Sequence, residues 1–319
     1  MPIFSGSSPH HQHQADNPDD DYYPVFVKHN LDLDVDINDV RSGGYRANCL
    51  APNNIFFQLP SNPLPPIVAL LTKQILTGAV TPPSPAMLAA MMDNLDKLST
   101  HGCSKLHVQY CLEGLFTINT LPQELQVSCK SGITRHLLPA SSPALPQLFP
   151  DLLYGYCIMM AFTQAQQTTL QHIHPSILSY AQATAGTTFP FFVIELQAAA
   201  GTGRNLWDTA NECAGSAAAC LQALDQLNTA LGAAGCQGRI PNVCYCLAID
   251  NNLGELYTSW KDENGSNVHV QRVASYLLSD TEHFARLYAC VASILKWGAT
   301  TRLQDIRMAA DYIGRGGGE

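Results

Sequence analysis

The chain has 319 residues, 46% of them apolar, and a formal net charge of −9 at pH 7. This length and composition support a globular protein with its own core, and no apolar run is long enough to span a bilayer, so no membrane partner is expected. The N-terminus lacks the basic start and continuous apolar stretch of a secretory signal, which predicts an intracellular protein, cytoplasmic or nuclear.

Acidic residues are concentrated near the N-terminus. Residues 1–39 contain eight of the 26 acids and only Lys28 of the 17 bases, so residues 40–319 carry 18 acids against 16 bases. Nucleic acid binding requires lysine and arginine contacts to phosphate. A main body this close to neutral therefore neither demands nor excludes a nucleic acid partner.

The eleven cysteines are an odd number, and they stand in apolar surroundings. No C-x-x-C pair occurs in the sequence, so the spacing typical of a structural zinc site is missing. We therefore expect mostly buried free thiols, which suit a reducing compartment.

Changes in composition divide the chain into four regions. Residues 1–24 are rich in histidine, aspartate and proline, which predicts a disordered leader. Residues 25–145 are predicted to form a mainly helical N-terminal extension, because proline-rich joints precede segments with apolar residues at helical spacing. Residues 146–279 are predicted to form a core of strands and helices, and 280–319 a C-terminal helical cap with a glycine tail.

Within the core, strand and helix patterns alternate. The segment DLLYGYCIMMAF, which opens at Asp151, and the segment FPFFVIELQA both predict strands. Residues 206 to about 232 have an apolar stripe, which predicts a helix packed on a sheet. Three further strands are predicted at NVCYCLAI, LGELYTSWKD and VHVQRVASYLL. The cap is predicted to be helical with a break at Gly298, and its basic residues to form a solvated face or a phosphate-facing strip.

Two short motifs carry the candidate chemistry. Pro150-Asp151 precedes one predicted strand, and Glu195-Leu196-Gln197 ends the next. Carboxylates at adjacent strand ends can hold a hard divalent cation such as Mg²⁺ or Mn²⁺. The signature of metal-dependent nucleases is Pro-Asp followed by Asp/Glu-x-Lys, where the lysine orients or deprotonates the attacking water. Gln197 occupies the lysine position, and its amide can hydrogen-bond but carries no charge.

Residues near these motifs are further candidates. Arg204 and Asn205 end a glycine-containing turn before the 206 helix, where they would contact phosphate or form an ordinary capped turn. Glu212 would add a third carboxylate to the site, although Asp208 and Glu212 also fit plain surface acids. The predicted substrate-binding residues are Arg204, Asn205, Asn211 and Gln171.

Several blocks of the sequence resemble a large family of fungal proteins with a PD-(D/E)XK nuclease-like domain. The blocks follow the family's order from about residue 45 and read YRANCLAPNNIFFQ, LPPIVALL, PDLLYGYC, PFFVIELQ, NLWDTANECAGSAAACLQALDQLN, LYTSWKD and WGATTRLQDIR. The resemblance implies an α/β fold with a restriction-endonuclease-like mixed sheet flanked by helices, an N-terminal helical extension and a C-terminal helical cap. It also carries over Asp151 and Glu195 as metal ligands.

The chain departs from the family pattern at two places. The family typically has Glu-Phe-Lys where this chain has Glu195-Leu196-Gln197, and Asn-Gln-Cys where it has Asn211-Glu212-Cys213. A positive charge is lost and a negative one is gained. If both positions line the site, a polyanionic substrate is repelled unless cations compensate.

Three functions are compatible with these residues. The first is metal-dependent hydrolysis of DNA or RNA, with Asp151 and Glu195 as ligands, Gln197 orienting water and Glu212 tuning the site. The second is a nuclease fold that now serves an RNA-linked or small-molecule substrate, such as a tRNA-dependent synthase that forms cyclodipeptides in fungal secondary metabolism. The third is a noncatalytic interaction module.

Overall fold

The computed structural model describes residues 39–78, 82–101, 104–116, 121–139, 141–173, 187–198, 205–262 and 265–316. This part contains a seven-stranded mixed sheet flanked by helices. The predicted α/β class is therefore confirmed. The predicted leader, residues 1–24, lies outside the described residues.

The strands run across the sheet in the order β1-β7-β6-β5-β4-β3-β2. Their bounds are β1 Ile55–Gln58, β2 Leu125–Cys129, β3 Leu152–Cys157, β4 Thr187–Leu196, β5 Val243–Ile249, β6 Leu253–Lys261 and β7 Val268–Leu277. The pairs β1/β7 and β4/β5 are parallel, and the other neighbours are antiparallel. Both edge strands, β1 and β2, come from the region 25–145, so this region contributes to the same sheet as the predicted core.

Helices connect and cover the strands. Those in the described part are α1 Pro66–Thr77, α2 Pro85–His101, α3 Lys105–Cys111, α4 Glu113–Phe116, α5 Ile158–Ala161, α6 Gln164–Ile173, α7 Leu206–Ala233, α8 Thr281–Trp297 and α9 Leu303–Gly314. The predicted helix from 206 to about 232 is confirmed as α7. The prediction of one long strand opening at Asp151 was wrong at its end, because β3 stops at Cys157 and α5 follows.

Helices α7 and α8 lie on opposite faces of the sheet. On β5, the Cys246 thiol contacts the Cys213 carbonyl of α7 at 3.6 Å. The next residue back, Tyr245, has its ring 5.6 Å from the Trp297 ring of α8. Neighbouring residues of a strand point to opposite faces, so the two helices sandwich β5. Every residue of β4 and β5 is consequently buried, as expected for central strands covered on both sides.

A buried arginine joins the C-terminal segment to β4. Arg302 is 2% exposed, and its Nη1 donates to the Phe189 carbonyl at 3.0 Å and to the Tyr156 hydroxyl at 3.1 Å. The Tyr156 hydroxyl in turn donates to the Gly298 carbonyl at 2.8 Å. The prediction that the basic residues of this segment form one solvated or phosphate-facing strip was therefore wrong for Arg302. The predicted break at Gly298 is present as a π-helical turn, Gly298–Arg302, between α8 and α9.

The cysteines at the centre of the sheet are buried free thiols, as the sequence predicts. Burial raises the pKa of the thiols on α7 and β5, which are the free cysteines Cys213, Cys220, Cys244 and Cys246. Thiols of raised pKa are poor nucleophiles, so these side chains act as small apolar groups. Separately, none of the helices in the described ranges is both long and apolar enough to cross a membrane.

Replacing Gly298 by alanine should lower the free energy of unfolding by about 2 kcal/mol, because overpacking a filled core strains it. A Cβ at this position would lie 2.1 Å from Phe191 Cζ, whereas the helical backbone itself accepts alanine. Urea denaturation measures the change. The matched control is Gly232→Ala in α7, where no atom lies within 4 Å of the new Cβ and a gain of roughly 0.5–1 kcal/mol is expected. Equal stabilities for the two variants would contradict the packing described here.

Candidate active site

Hydrogen bonds between β3 and β4 join the two sequence motifs. The strands are antiparallel with Leu152 opposite Ile194, which places Asp151 beside Glu195. The Leu196 N–H donates to Asp151 Oδ2 at 2.8 Å, and the Asp151 N–H donates to Glu195 Oε2 at 3.4 Å. The structure thus brings together the two carboxylates that the sequence analysis selected as metal ligands.

A lysine that the sequence analysis missed completes this cluster. Lys105 Nζ lies 2.5 Å from Asp151 Oδ2, and the side chains are 32% and 2% exposed respectively. Lys105 is the first residue of α3, whose N-cap Ser104 accepts a hydrogen bond from the His107 N–H. No motif marks Lys105 in the sequence, because its role comes from a contact between distant parts of the chain.

The site opens onto a cavity of about 440 Å³. Glu195 lines it from β4, Glu212 from α7 and Lys105 from α3. The other lining residues are Asp39, Val40, Arg41, Pro146, Gln147, Leu148 and Phe149. A cavity of this size with convergent charged side chains is typical of a ligand-binding or catalytic site.

Glu195 is electrostatically crowded. Burial raises its pKa well above the ordinary value, and the carboxylates of Glu212 and Asp151 raise it further. Lys105 and the Asp151 N–H act in the opposite direction. A carboxylate in this environment is stabilised by taking up a proton or by a nearby cation.

Asn205 and Asp208 form the N-terminal cap of α7. Asn205 Oδ1 accepts hydrogen bonds from the N–H groups of Trp207 at 2.8 Å and Asp208 at 3.2 Å. The Asn205 N–H donates to Asp208 Oδ2 at 3.0 Å, which completes a capping box. Asp208 is 2% exposed, so the interpretation of this residue as a plain surface acid was wrong. The cap fixes the start of the helix that carries Glu212.

Asn211 is fully buried and holds the N-terminal segment against α7. Its Nδ2 donates to the Val40 carbonyl at 3.1 Å, and its Oδ1 accepts from Arg46 Nε at 2.7 Å. The Arg46 guanidinium lies 3.6 Å from the centre of the Phe57 ring. Asn211 therefore positions Val40 at the cavity and is not itself one of the described lining residues.

Gln197 and Gln171 are not among the described residues that line this cavity. Gln197 is 4% exposed, and its Nε2 donates to the carbonyl of the neighbouring Ala198 at 2.9 Å. Gln171 belongs to α6 and is not among the described lining residues. Arg204 lies outside the described residues, so its predicted phosphate contact stays a prediction.

The carboxylate oxygens at this site suit a hard divalent cation, but their present arrangement does not form a complete set of metal ligands. Carboxylate oxygens are the ligands that Mg²⁺ and Mn²⁺ prefer. However, no three histidine, cysteine, aspartate or glutamate side chains among the described residues form a ready metal-binding group. Because Asp151 Oδ2 is already paired with Lys105, Glu195 and Glu212 are the residues that would hold a cation here.

One known protein family matches most of the region that contains this site. Residues 111–310 match the model of a domain of unknown function, DUF7924. The chain belongs to the DUF7924 family. The DUF7924 region contains Asp151, Glu195 and Glu212, and it begins after Lys105. No match was found among curated proteins.

Glu195→Gln should remove a pH dependence of stability. The folded-state pKa of Glu195 is raised, so its contribution to stability is complete below the unfolded-state pKa and is lost as pH rises through the folded-state value. Without divalent cations, the wild type should match the variant at acidic pH and be less stable than it at pH 8. Urea denaturation at several pH values measures this difference.

The control for this experiment is Glu282→Gln. Glu282 is on α8 with its side chain 74% exposed and paired with Arg286, so its replacement should not change the pH profile of stability. If wild type and Glu195→Gln differed in free energy of unfolding by the same amount at every pH, the raised pKa of Glu195 would be refuted.

Proposed function

We propose that the chain is a divergent PD-(D/E)XK nuclease-like protein that hydrolyses phosphodiester bonds of nucleic acid with Mg²⁺ or Mn²⁺. The observation that carries the proposal is the cluster of Asp151, Glu195 and Lys105 at the joined ends of β3 and β4. Glu212 adds a further carboxylate across the cavity. Titratable groups of shifted pKa in a cavity are typical of active sites.

The strand order around the motifs supports the restriction-endonuclease-like fold. Strands β2, β3 and β4 are consecutive antiparallel neighbours, and α7 then leads to β5, which is parallel to β4. In this order Pro150-Asp151 precedes β3, and Glu195 lies near the end of β4. The antiparallel pairing brings the start of β3 beside the end of β4, so the two carboxylates are neighbours, as a nuclease of this type needs.

Lys105 provides the positive charge that the sequence lacks at position 197, where nucleases of this type have a lysine. The charge that Gln197 lacks is supplied from α3, and Lys105 lines the cavity whereas Gln197 does not. An ammonium group held by Asp151 offers hydrogen-bond donors and a positive charge to a phosphate oxygen. We therefore assign to Lys105 the phosphate-binding role that a lysine at position 197 would have.

The reaction would proceed by attack of water on phosphorus and departure of the leaving oxygen from phosphorus. A divalent cation held by Glu195 and Glu212 would supply Lewis acidity at the phosphate. Lys105 orients and partly neutralises the phosphate, while Asp151 fixes the lysine. Glu195, which lines the cavity, is placed to accept a proton from water.

A second candidate function is binding without hydrolysis. The observation in its favour is that Lys105 already occupies an oxygen of Asp151 and that the described residues offer no ready three-ligand group. In this case the cavity would bind an RNA-linked or small anionic molecule through Lys105. Divalent cations would then leave both stability and substrate unchanged.

The test is cleavage of labelled single-stranded and duplex DNA and RNA with Mg²⁺ or Mn²⁺. Asp151→Asn, Glu195→Gln and Lys105→Met should each reduce the rate by roughly 10²–10³, the usual cost of removing one group that stabilises charge in a transition state. The matched control is Lys296→Met, an exposed lysine on α8, which should cut at the wild-type rate.

Thermal unfolding of each variant checks that the fold persists. Failure of the wild type to cut any of these substrates with either metal would refute hydrolysis. Full activity of Lys105→Met would refute the role of the lysine while leaving the carboxylate assignment intact.

A further inference from the structure

One aromatic side chain at the cavity is not explained by folding. Phe149 lines the cavity beside the Pro150-Asp151 motif and is 59% exposed. It is the only exposed phenylalanine among the described residues. Single exposed apolar side chains are common on protein surfaces, but an aromatic ring that lines a cavity is placed to contact a bound molecule.

The backbone on both sides of Phe149 is fixed. The Ile133 N–H donates to the Leu148 carbonyl at 2.9 Å, and the Lys130 N–H donates to the Pro150 carbonyl at 3.0 Å. One edge of the ring rests against the chain at Gly132, where a Cβ would lie 3.0 Å from Phe149 Cε1. Phe149 is thus held in place by its neighbours while most of its ring remains open.

The helix that supplies Lys105 also exposes apolar side chains. Leu106 and Tyr110 on α3 are 64% and 72% exposed. Their spacing of four residues places them on one face of the helix. Neither is among the described residues that line the cavity, so Phe149 is the aromatic side chain that the cavity itself presents.

The charges of the cavity limit what phosphate contacts alone can achieve. Its lining includes three acids, Asp39, Glu195 and Glu212, and two bases, Arg41 and Lys105. Duplex DNA binds proteins mainly through basic side chains on its phosphates, and this lining offers few. Single strands can bind through stacking of their bases on aromatic rings, since every base has an accessible face.

We infer that Phe149 stacks on an unpaired nucleobase beside the scissile phosphate, so that the substrate class is single-stranded nucleic acid. The inference rests on the proposed function for the position of the phosphate at Lys105. In a duplex the face of the base is covered by its neighbours, and Phe149 would have no surface to contact. Phe149 is therefore a specificity-determining residue.

The experiment measures binding with the hydrolysis-impaired Glu195→Gln protein. The probes are a 12-nucleotide single strand of DNA or RNA containing one 2-aminopurine, and the duplex of the same sequence. Stacking should quench the 2-aminopurine fluorescence of the single strand. Adding Phe149→Leu, which keeps an apolar side chain but removes the ring, should abolish the quench and weaken binding by roughly 5- to 100-fold.

Two further variants separate stacking from general apolar contact. Phe149→Trp should retain the quench, because tryptophan also presents an aromatic face. The matched control is Met308→Ala on α9, a 52% exposed apolar residue that does not line the cavity, and it should bind as the parent does. Thermal unfolding of Phe149→Leu should be unchanged, since the ring is mostly exposed.

The outcomes separate this inference from the proposed function. Single-strand binding and quenching that are unchanged in Phe149→Leu would overturn the inference, even if the wild type hydrolyses nucleic acid. Duplex binding as tight as single-strand binding would also overturn it. A Phe149-dependent quench in a protein whose wild type cuts nothing would refute hydrolysis and uphold base stacking.

Discussion

A buried carboxylate with two partners holds this site together. Asp151 is almost completely removed from water, and its Oδ2 is shared by the Leu196 N–H and the Lys105 ammonium. A buried charge costs several kcal/mol unless it is paired and hydrogen-bonded. The protein can therefore bury Asp151 only because these two contacts are present. The same contacts fix the junction of β3 and β4 and set Glu195 beside the cavity.

The two motif carboxylates have different surroundings, although both come from the same strand junction. Asp151 is paired with the Lys105 ammonium. Burial and the neighbouring Glu212 carboxylate instead raise the pKa of Glu195. Such separation of neighbouring acids commonly divides roles within an active site. In the proposed function, the positioning role falls to Asp151, and proton transfer or cation binding to Glu195.

The sequence was sufficient for the features that depend on local patterns. Apolar periodicity and turn residues predicted α7 and the strands β4 to β7, and the two motifs predicted that Asp151 and Glu195 converge. Lys105 could not be predicted, because nothing near it in sequence indicates that its ammonium contacts Asp151, the residue before β3. Asn205 and Asn211 have polar side chains that suit substrate binding as well as structure, and only the folded structure shows that Asn205 caps α7 and that Asn211 anchors Val40. Arg302 was misjudged because helical charge usually faces water.

The buried Arg302 has a consequence for how the protein can be shortened. Arg302 Nη1 is matched by the Phe189 carbonyl and the Tyr156 hydroxyl, and Nη2 reaches the Pro190 carbonyl at 3.5 Å, whereas the buried Nε has no hydrogen-bond partner among the described residues. A chain ended at residue 279 would lose Arg302 together with α8 and α9, and the apolar face of the sheet that these helices cover, including Tyr245, would be exposed to water. The C-terminal helices therefore form one of the layers that cover the sheet.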